Sequence, residues 1–166
     1  LEQKQLGSID LHFKQWQKVI KALGDDYALQ ERYFRQYYNA FKPDLKHVAN
    51  VPIATKSNLM QVYEKLINHD AQDFLSKTLH GSLLYQQITA RAPITSHLKL
   101  TRLLLQLERV QAAPAYVFLL FAFSRKETLQ LKDQDLAKIV DLLISFFIRR
   151  NTTDTPPTRE LTPMFM

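Results

Sequence analysis

Apolar residues in this chain recur at steps of three and four from near its start to Arg150, and no alternating run of convincing length interrupts them. That spacing puts them on one face of an α-helix, whereas a half-buried strand needs a period of two. Ile9, Phe13, Trp16, Ile20 and Leu23 make the first such face, with Ser8 or Asp10 placed to cap its start and Gly24 where a helix stop is expected. Asp25-Asp26 then opens a turn. A second helix is predicted over Leu29 to Phe41, dense in aromatics, and Pro43 and Pro52 bracket a short irregular stretch.

A third helix carries Leu59, Val62, Tyr63 and Leu66, with Thr55 or Ser57 as its cap. Residues 71–90 read as helix, with Gly81 expected to break or bend it. Leu100, Leu103, Leu104 and Leu107 form the next stripe, and Lys99, Arg102, Gln106 and Arg109 the opposite face. Pro114 suits the first turn of the apolar helix after it, because the amide hydrogen it lacks has no partner there. The last helix is predicted from about Asp133 to Arg150. Lys138, Asp141, Ser145 and Arg149 share one narrow stripe of it, and its apolar remainder makes it a central helix. The expectation is an all-α fold, one helical domain of seven or eight helices over residues 1–150, and a polar, proline-rich loop over 151–166 leading towards a further module.

Composition removes several chemistries. With no cysteine, disulfides, thiolate zinc sites and cysteine nucleophiles are excluded. Gly7, Gly24 and Gly81 are too far apart for a glycine-rich phosphate cradle, and no GxSxG elbow exists. The longest apolar run, Ala112–Phe123, is twelve residues and contains Pro114. A span needs about 20, so this is a buried helix rather than a membrane anchor. No signal peptide opens the chain, and a cytoplasmic location is expected. It begins with Leu1 rather than methionine, as a piece of a longer protein would.

Net charge is +6, from 22 basic and 16 acidic side chains. A basic balance permits an anionic partner such as nucleic acid. Residues 1–60 hold 9 basic and 6 acidic groups, 61–120 hold 6 and 4, and 121–166 hold 7 and 6, so no segment is a basic tail.

Candidate sites are few. No two of His12, His47, His69, His80 and His97 stand three or four residues apart, so no helix face pairs imidazoles for a metal. No metal or cofactor is expected. The carboxylate pairs Asp25-Asp26, Asp70/Asp73 and Asp133/Asp135 fall at predicted helix starts, where aspartate caps amides and complements the helix dipole. The segment Glu31 to Tyr38 interleaves arginines with aromatics, as single-strand binders do. At helical spacing, however, Tyr33, Tyr37 and Phe41 read as core. Arg149-Arg150 serves either of two uses: structural pairing at a helix C-terminus, or capture of a phosphate or a neighbouring carboxylate.

The stretch Ala112-Ala113-Pro114-Ala115-Tyr116-Val117-Phe118-Leu119-Leu120, then Leu136 to Arg150 ending Ile144-Ser145-Phe146-Phe147-Ile148-Arg149-Arg150-Asn151, then the threonine-rich Thr152 to Arg159, resembles the helical part of GmrSD-type restriction endonucleases. These are bacterial, modification-dependent (type IV) enzymes with many uncharacterised relatives. The resemblance implies an N-terminal nucleotidase or nuclease module with an Asp-Gly-Gln-Gln-Arg box and a C-terminal His-Asn-His nuclease. Neither motif occurs here, so no catalytic residue of that family transfers to this chain.

The role implied by the resemblance is a non-catalytic helical module of a phage-defence protein. It would position flanking modules, with Arg149, Arg150 and Arg159 contacting a module or DNA phosphate. The alternative is a stand-alone protein-interaction domain, with an apolar patch at Met164-Phe165-Met166. A self-sufficient enzyme would need aspartates and histidines converging across helices.

Overall fold

The computed structural model describes the backbone of residues 2–166 and the side chains of residues 10–166. The fold is all-α, as the periodicity predicts: nine α-helices and one 3-10 turn among the described residues, and no strand. None of these helices is long and apolar enough to cross a membrane. The chain forms two compact units, residues 1–83 and 84–166.

The first unit holds α1 (Glu2–Leu23), α2 (Tyr27–Ala40), α3 (Lys42–Ala49), α4 (Leu59–His69) and most of α5 (Ala71–Ile88). Helix α1 starts upstream of Ser8 and Asp10, so neither caps it. It ends where expected, at Gly24, whose φ of 74° is the left-handed value that glycine adopts without a Cβ penalty. Asp26 caps α2, its carboxylate accepting from the amides of Ala28 (2.9 Å) and Leu29 (3.3 Å).

The predicted α1 face is only half covered. Val19 and Leu23 are buried, but Phe13 is 59% and Trp16 38% exposed, although the Trp16 ring stacks on Phe34 at 6.0 Å. The side chain of Ile9 lies outside the described residues.

The stretch expected to be irregular after Pro43 is helix α3. Pro43 sits in its first turn, where a missing amide hydrogen costs nothing, and Asn50 closes it in the left-handed conformation at φ 51°. The cap of α4 is Asn58, not Thr55 or Ser57. The aromatics of α2 build the core of this unit. Tyr33 and Tyr38 are fully buried, and each hydroxyl finds a backbone acceptor: Tyr33 donates to Thr78 O at 2.7 Å and Tyr38 to Val51 O at 2.5 Å. Buried Asn39 both donates to and accepts from the backbone of Ala54, tying α2 to the loop before α4. This satisfaction is what allows so polar an aromatic set into a core.

Gly81 does not break α5, which runs through it to Ile88. Its role is space. A Cβ there would stand 2.8 Å from the Tyr33 hydroxyl and 2.8 Å from the Tyr37 ring.

The second unit holds the end of α5, then α6 (Leu98–Arg109), the 3-10 turn Ala113–Ala115 with Pro114, α7 (Tyr116–Ser124), α8 (Asp133–Thr153) and α9 (Thr158–Met164). Helix α7 is apolar nearly all round and buries Tyr116, Val117, Leu119, Leu120, Ala122 and Phe123. Helix α8 is one-sided rather than central. Leu136, Val140, Leu143, Ile144 and Phe147 face inwards, whereas Leu142 is 71% and Ile148 52% exposed. Apolar content overstates its burial because too few neighbours surround it to cover every face.

The segment 151–166 is not a loop. Helix α8 continues to Thr153, and α9 begins after Pro157, with Leu161 2% exposed and the Phe165 ring stacked on Phe147 at 5.9 Å. Seven residues cannot hold a helix alone, so these contacts and the 3-10 turn against which α9 packs account for it.

Candidate nucleic-acid interface

Helices α6 and α8 pack against each other, and the bonds at their ends make them parallel. The Ser96 hydroxyl meets Asp133 at 3.4 Å where both helices begin, and the Asn151 amide donates to Val110 O at 2.9 Å where both end. His97 caps α6, its Nδ1 accepting from the Leu100 amide at 3.0 Å. The sequence marks that boundary by Pro93 and Thr95-Ser96 but does not single out this cap.

A groove of about 490 Å³ separates the starts of the two helices, with Lys99, Leu103, Lys132, Lys138 and Asp141 among its walls. The outer face of α6 carries Lys99, Arg102 and Arg109, all exposed. Glu108, the one acid of that helix, lies off the stripe and accepts a hydrogen bond from Tyr116. Residues 84–166 hold 11 basic and 7 acidic side chains, so most of the net positive charge of the chain sits in this unit.

Asp133 is locally neutralised. It accepts from the Lys126 ammonium, which, with the Ser96 hydroxyl and nearby positive charge, holds its carboxyl below the usual carboxylate range. A folded-state value below the unfolded one means stability present above about pH 4 and lost as pH falls through the folded value. Asp133→Asn is therefore expected to destabilise the chain at about pH 7 and to cost progressively less towards about pH 3, read from urea midpoints. A loss independent of pH would show that the carboxylate charge contributes nothing.

The two adjacent arginines have different fates. Arg150 is turned into the α8–α9 connection with its side chain 14% exposed. Its Nε donates to Pro156 O at 3.1 Å, Nη1 to Asn151 at 3.3 Å, and Nη2 to Asp154 at 3.0 Å and Thr158 at 2.7 Å. Four bonds thus commit most of the guanidinium fork within the fold. Arg149, one position earlier, is exposed. Arg159 is 87% exposed, 4.0 Å from Glu160.

The interleaved segment Glu31 to Tyr38 offers no stacking platform, because Tyr33, Tyr37 and Tyr38 are in the core. Four of the aspartates at the predicted helix starts act as caps or open a helix: Asp26 accepts from the amides of Ala28 and Leu29, Asp70 from the Asp73 amide and Asp135 from the Lys132 amide, and Asp133 opens α8.

Sequence spacing missed one juxtaposition. His47 of α3 and His69 at the end of α4 stand with ring centres 6.4 Å apart, beside a cavity of about 250 Å³ that Asp44, Asp70 and Asp73 also line. Twenty-two residues separate the two imidazoles in the chain, and only the α3–α4 packing unites them. Burial, with the negative charges of Asp73 and Asp44, pushes the Tyr37 phenol at this cavity well above its ordinary range. Two of these carboxylates have partners, Asp73 in Lys77 at 2.7 Å and Asp70 in the Asp73 amide at 2.9 Å. Among the described residues, no three histidine or acidic side chains are grouped to hold a metal ion.

Comparison with known proteins finds no matching family model, no matching curated protein and no matching solved structure.

Proposed function

We propose that this chain is a non-catalytic helical module of a DNA-acting, restriction-endonuclease-like bacterial defence protein of the cytoplasm, and that it holds flanking nuclease or nucleotidase modules in register. The observation that carries this reading is the Arg150 lock. The double-arginine segment behind the GmrSD-type resemblance is a built joint, with one guanidinium tying α8, the turn and α9 together. A joint of this kind suits a spacer whose task is to keep a downstream module at a set angle. Arg149 and Arg159 are exposed near that joint and can reach a neighbouring module or DNA phosphate.

The reading is tested by sequencing the genomic DNA on both sides of this coding segment. An Asp-Gly-Gln-Gln-Arg box upstream, in the same frame, supports it, and a His-Asn-His module downstream strengthens it. Stop and start codons at the two edges would overturn the positioning role.

A second reading, a protein-interaction domain with no nucleic-acid role, is favoured by a different observation. Phe13 and Trp16 are exposed on α1, and Trp16 and Ile20 border a notch of about 450 Å³. At the expected patch Met164-Phe165-Met166, Phe165 packs on Phe146 and Phe147, while Met164 is 54% and Met166 38% exposed. Association that depends on concentration and is lost in Trp16→Ala would favour this reading.

A further inference from the structure

We infer that the exposed basic rails of α6 and α8 are a docking surface for the phosphate backbone of duplex nucleic acid. This rests on the DNA-acting reading above and names the surface that reading leaves open. Lys99, Arg102 and Arg109 succeed one another at steps of three and seven on α6, within one exposed stripe. At 1.5 Å per residue they span about 15 Å of helix. Helix α8 adds two cations, Lys138 and Arg149, eleven residues or three helical turns apart on one exposed stripe, with Asp141 and Ser145 between them.

The two helices are parallel and pinned at both ends, so each rail keeps its direction along the other. Lys99 and Lys138 both border the groove between their starts. Five cations are thus carried by the two exposed stripes. The acid among them is Asp141, while Asp135 lies 3.7 Å from Lys138. Asp133, which also lines the groove, is held by Lys126.

A surface of this kind suits a partner whose charges repeat along a line. Duplex DNA presents one phosphate charge per about 1.7 Å of axis, and each phosphate contact releases condensed counterions. Arg150 takes no part, because its fork is already committed. The contacts inferred are to backbone phosphates, so binding is expected to be independent of sequence.

The test titrates a fluorescent duplex of about 20 base pairs with the whole chain between about 50 and about 200 mM salt. The triple variant Lys99→Gln, Arg102→Gln, Arg109→Gln is compared with a charge-matched control, Lys14→Gln, Lys18→Gln, Lys21→Gln, on α1. All six positions are exposed, so the variants should keep the parent melting curve. The α6 variant is expected to bind at least about ten-fold more weakly and to flatten the salt slope by about 2 to 3, at roughly 0.9 per lost phosphate contact. The α1 control should bind as the parent does.

If the parent binds DNA and the α6 variant binds equally well with the same slope, the inference fails and the DNA-acting reading stands. If the parent binds no duplex at the lowest salt, the inference fails together with DNA contact by this module. Binding to vesicles containing phosphatidylserine, with none to DNA, would also overturn it in favour of a membrane surface.

Discussion

Replacing Gly81 with alanine is expected to destabilise the chain by about 2 kcal/mol, although alanine is the better helix former. Propensity alone favours alanine by about 1 kcal/mol in a helix interior. Against this, the new methyl would stand 2.8 Å from the Tyr33 hydroxyl and 2.8 to 2.9 Å from two carbons of the Tyr37 ring. Neither ring can retreat freely, since Tyr33 is fully buried and Tyr37 is 5% exposed. Moving Tyr33 also disturbs its 2.7 Å bond to Thr78 O. Overpacking costs about 1–3 kcal/mol, and an impaired buried hydrogen bond a further 1–3, so the steric side wins.

Urea unfolding of Gly81→Ala measures the net effect. A double-mutant cycle with Tyr33→Phe isolates the clash, because removing the hydroxyl should recover part of the loss. An alanine variant as stable as the parent would mean that α5 and α2 do not approach this closely.

Arg150→Ala is the second large effect, with an expected loss of about 2 kcal/mol and a local signature. The guanidinium serves the side-chain oxygens of Asn151 in α8 and Thr158 in α9, the carbonyl of Pro156 and the Asp154 carboxylate. Asp154 is 86% exposed, so its ion pair adds little. The loss comes mainly from the bonds of the largely buried fork to Pro156 and Thr158. Without them α9 should open, exposing Leu161 and Phe165, and amide exchange over 158–164 should accelerate more than exchange in α7. Arg150→Lys should not rescue it, because a single ammonium cannot span acceptors that a planar fork reaches together. Arg149→Ala should stay within about 0.5 kcal/mol of the parent. Equal effects of the two alanine substitutions would remove the lock, and with it the observation on which the positioning role rests.

The contrast between Arg149 and Arg150 also marks the limit of what the sequence reveals. Both are cations at the end of one predicted helix, and their chemistry is the same. What separates them is a rotation of about 100° along the helix, together with a turn that brings Pro156 and Thr158 back to one of them and not the other. The pairing of His47 with His69 is hidden in the same way, because imidazoles on different helices leave no spacing signal. Gly81 reads as a breaker in sequence, since its reason for being glycine belongs to the α2 tyrosines it faces.

The all-α class, the positions of the longer helices, the stop at Gly24 and the cap at Asp26 were determined by the sequence alone, because periodicity and capping are interactions within a few neighbouring residues. The basic stripe of α6 was legible for the same reason. Only the tertiary structure decided that α9 is helical, that α8 is open on one face, that Arg150 is occupied while Arg149 is exposed, and that α6 and α8 run parallel with Lys99 and Lys138 on one groove. Each of these depends on groups distant in the chain, whose approach is set by how whole helices bury their apolar faces rather than by any local preference.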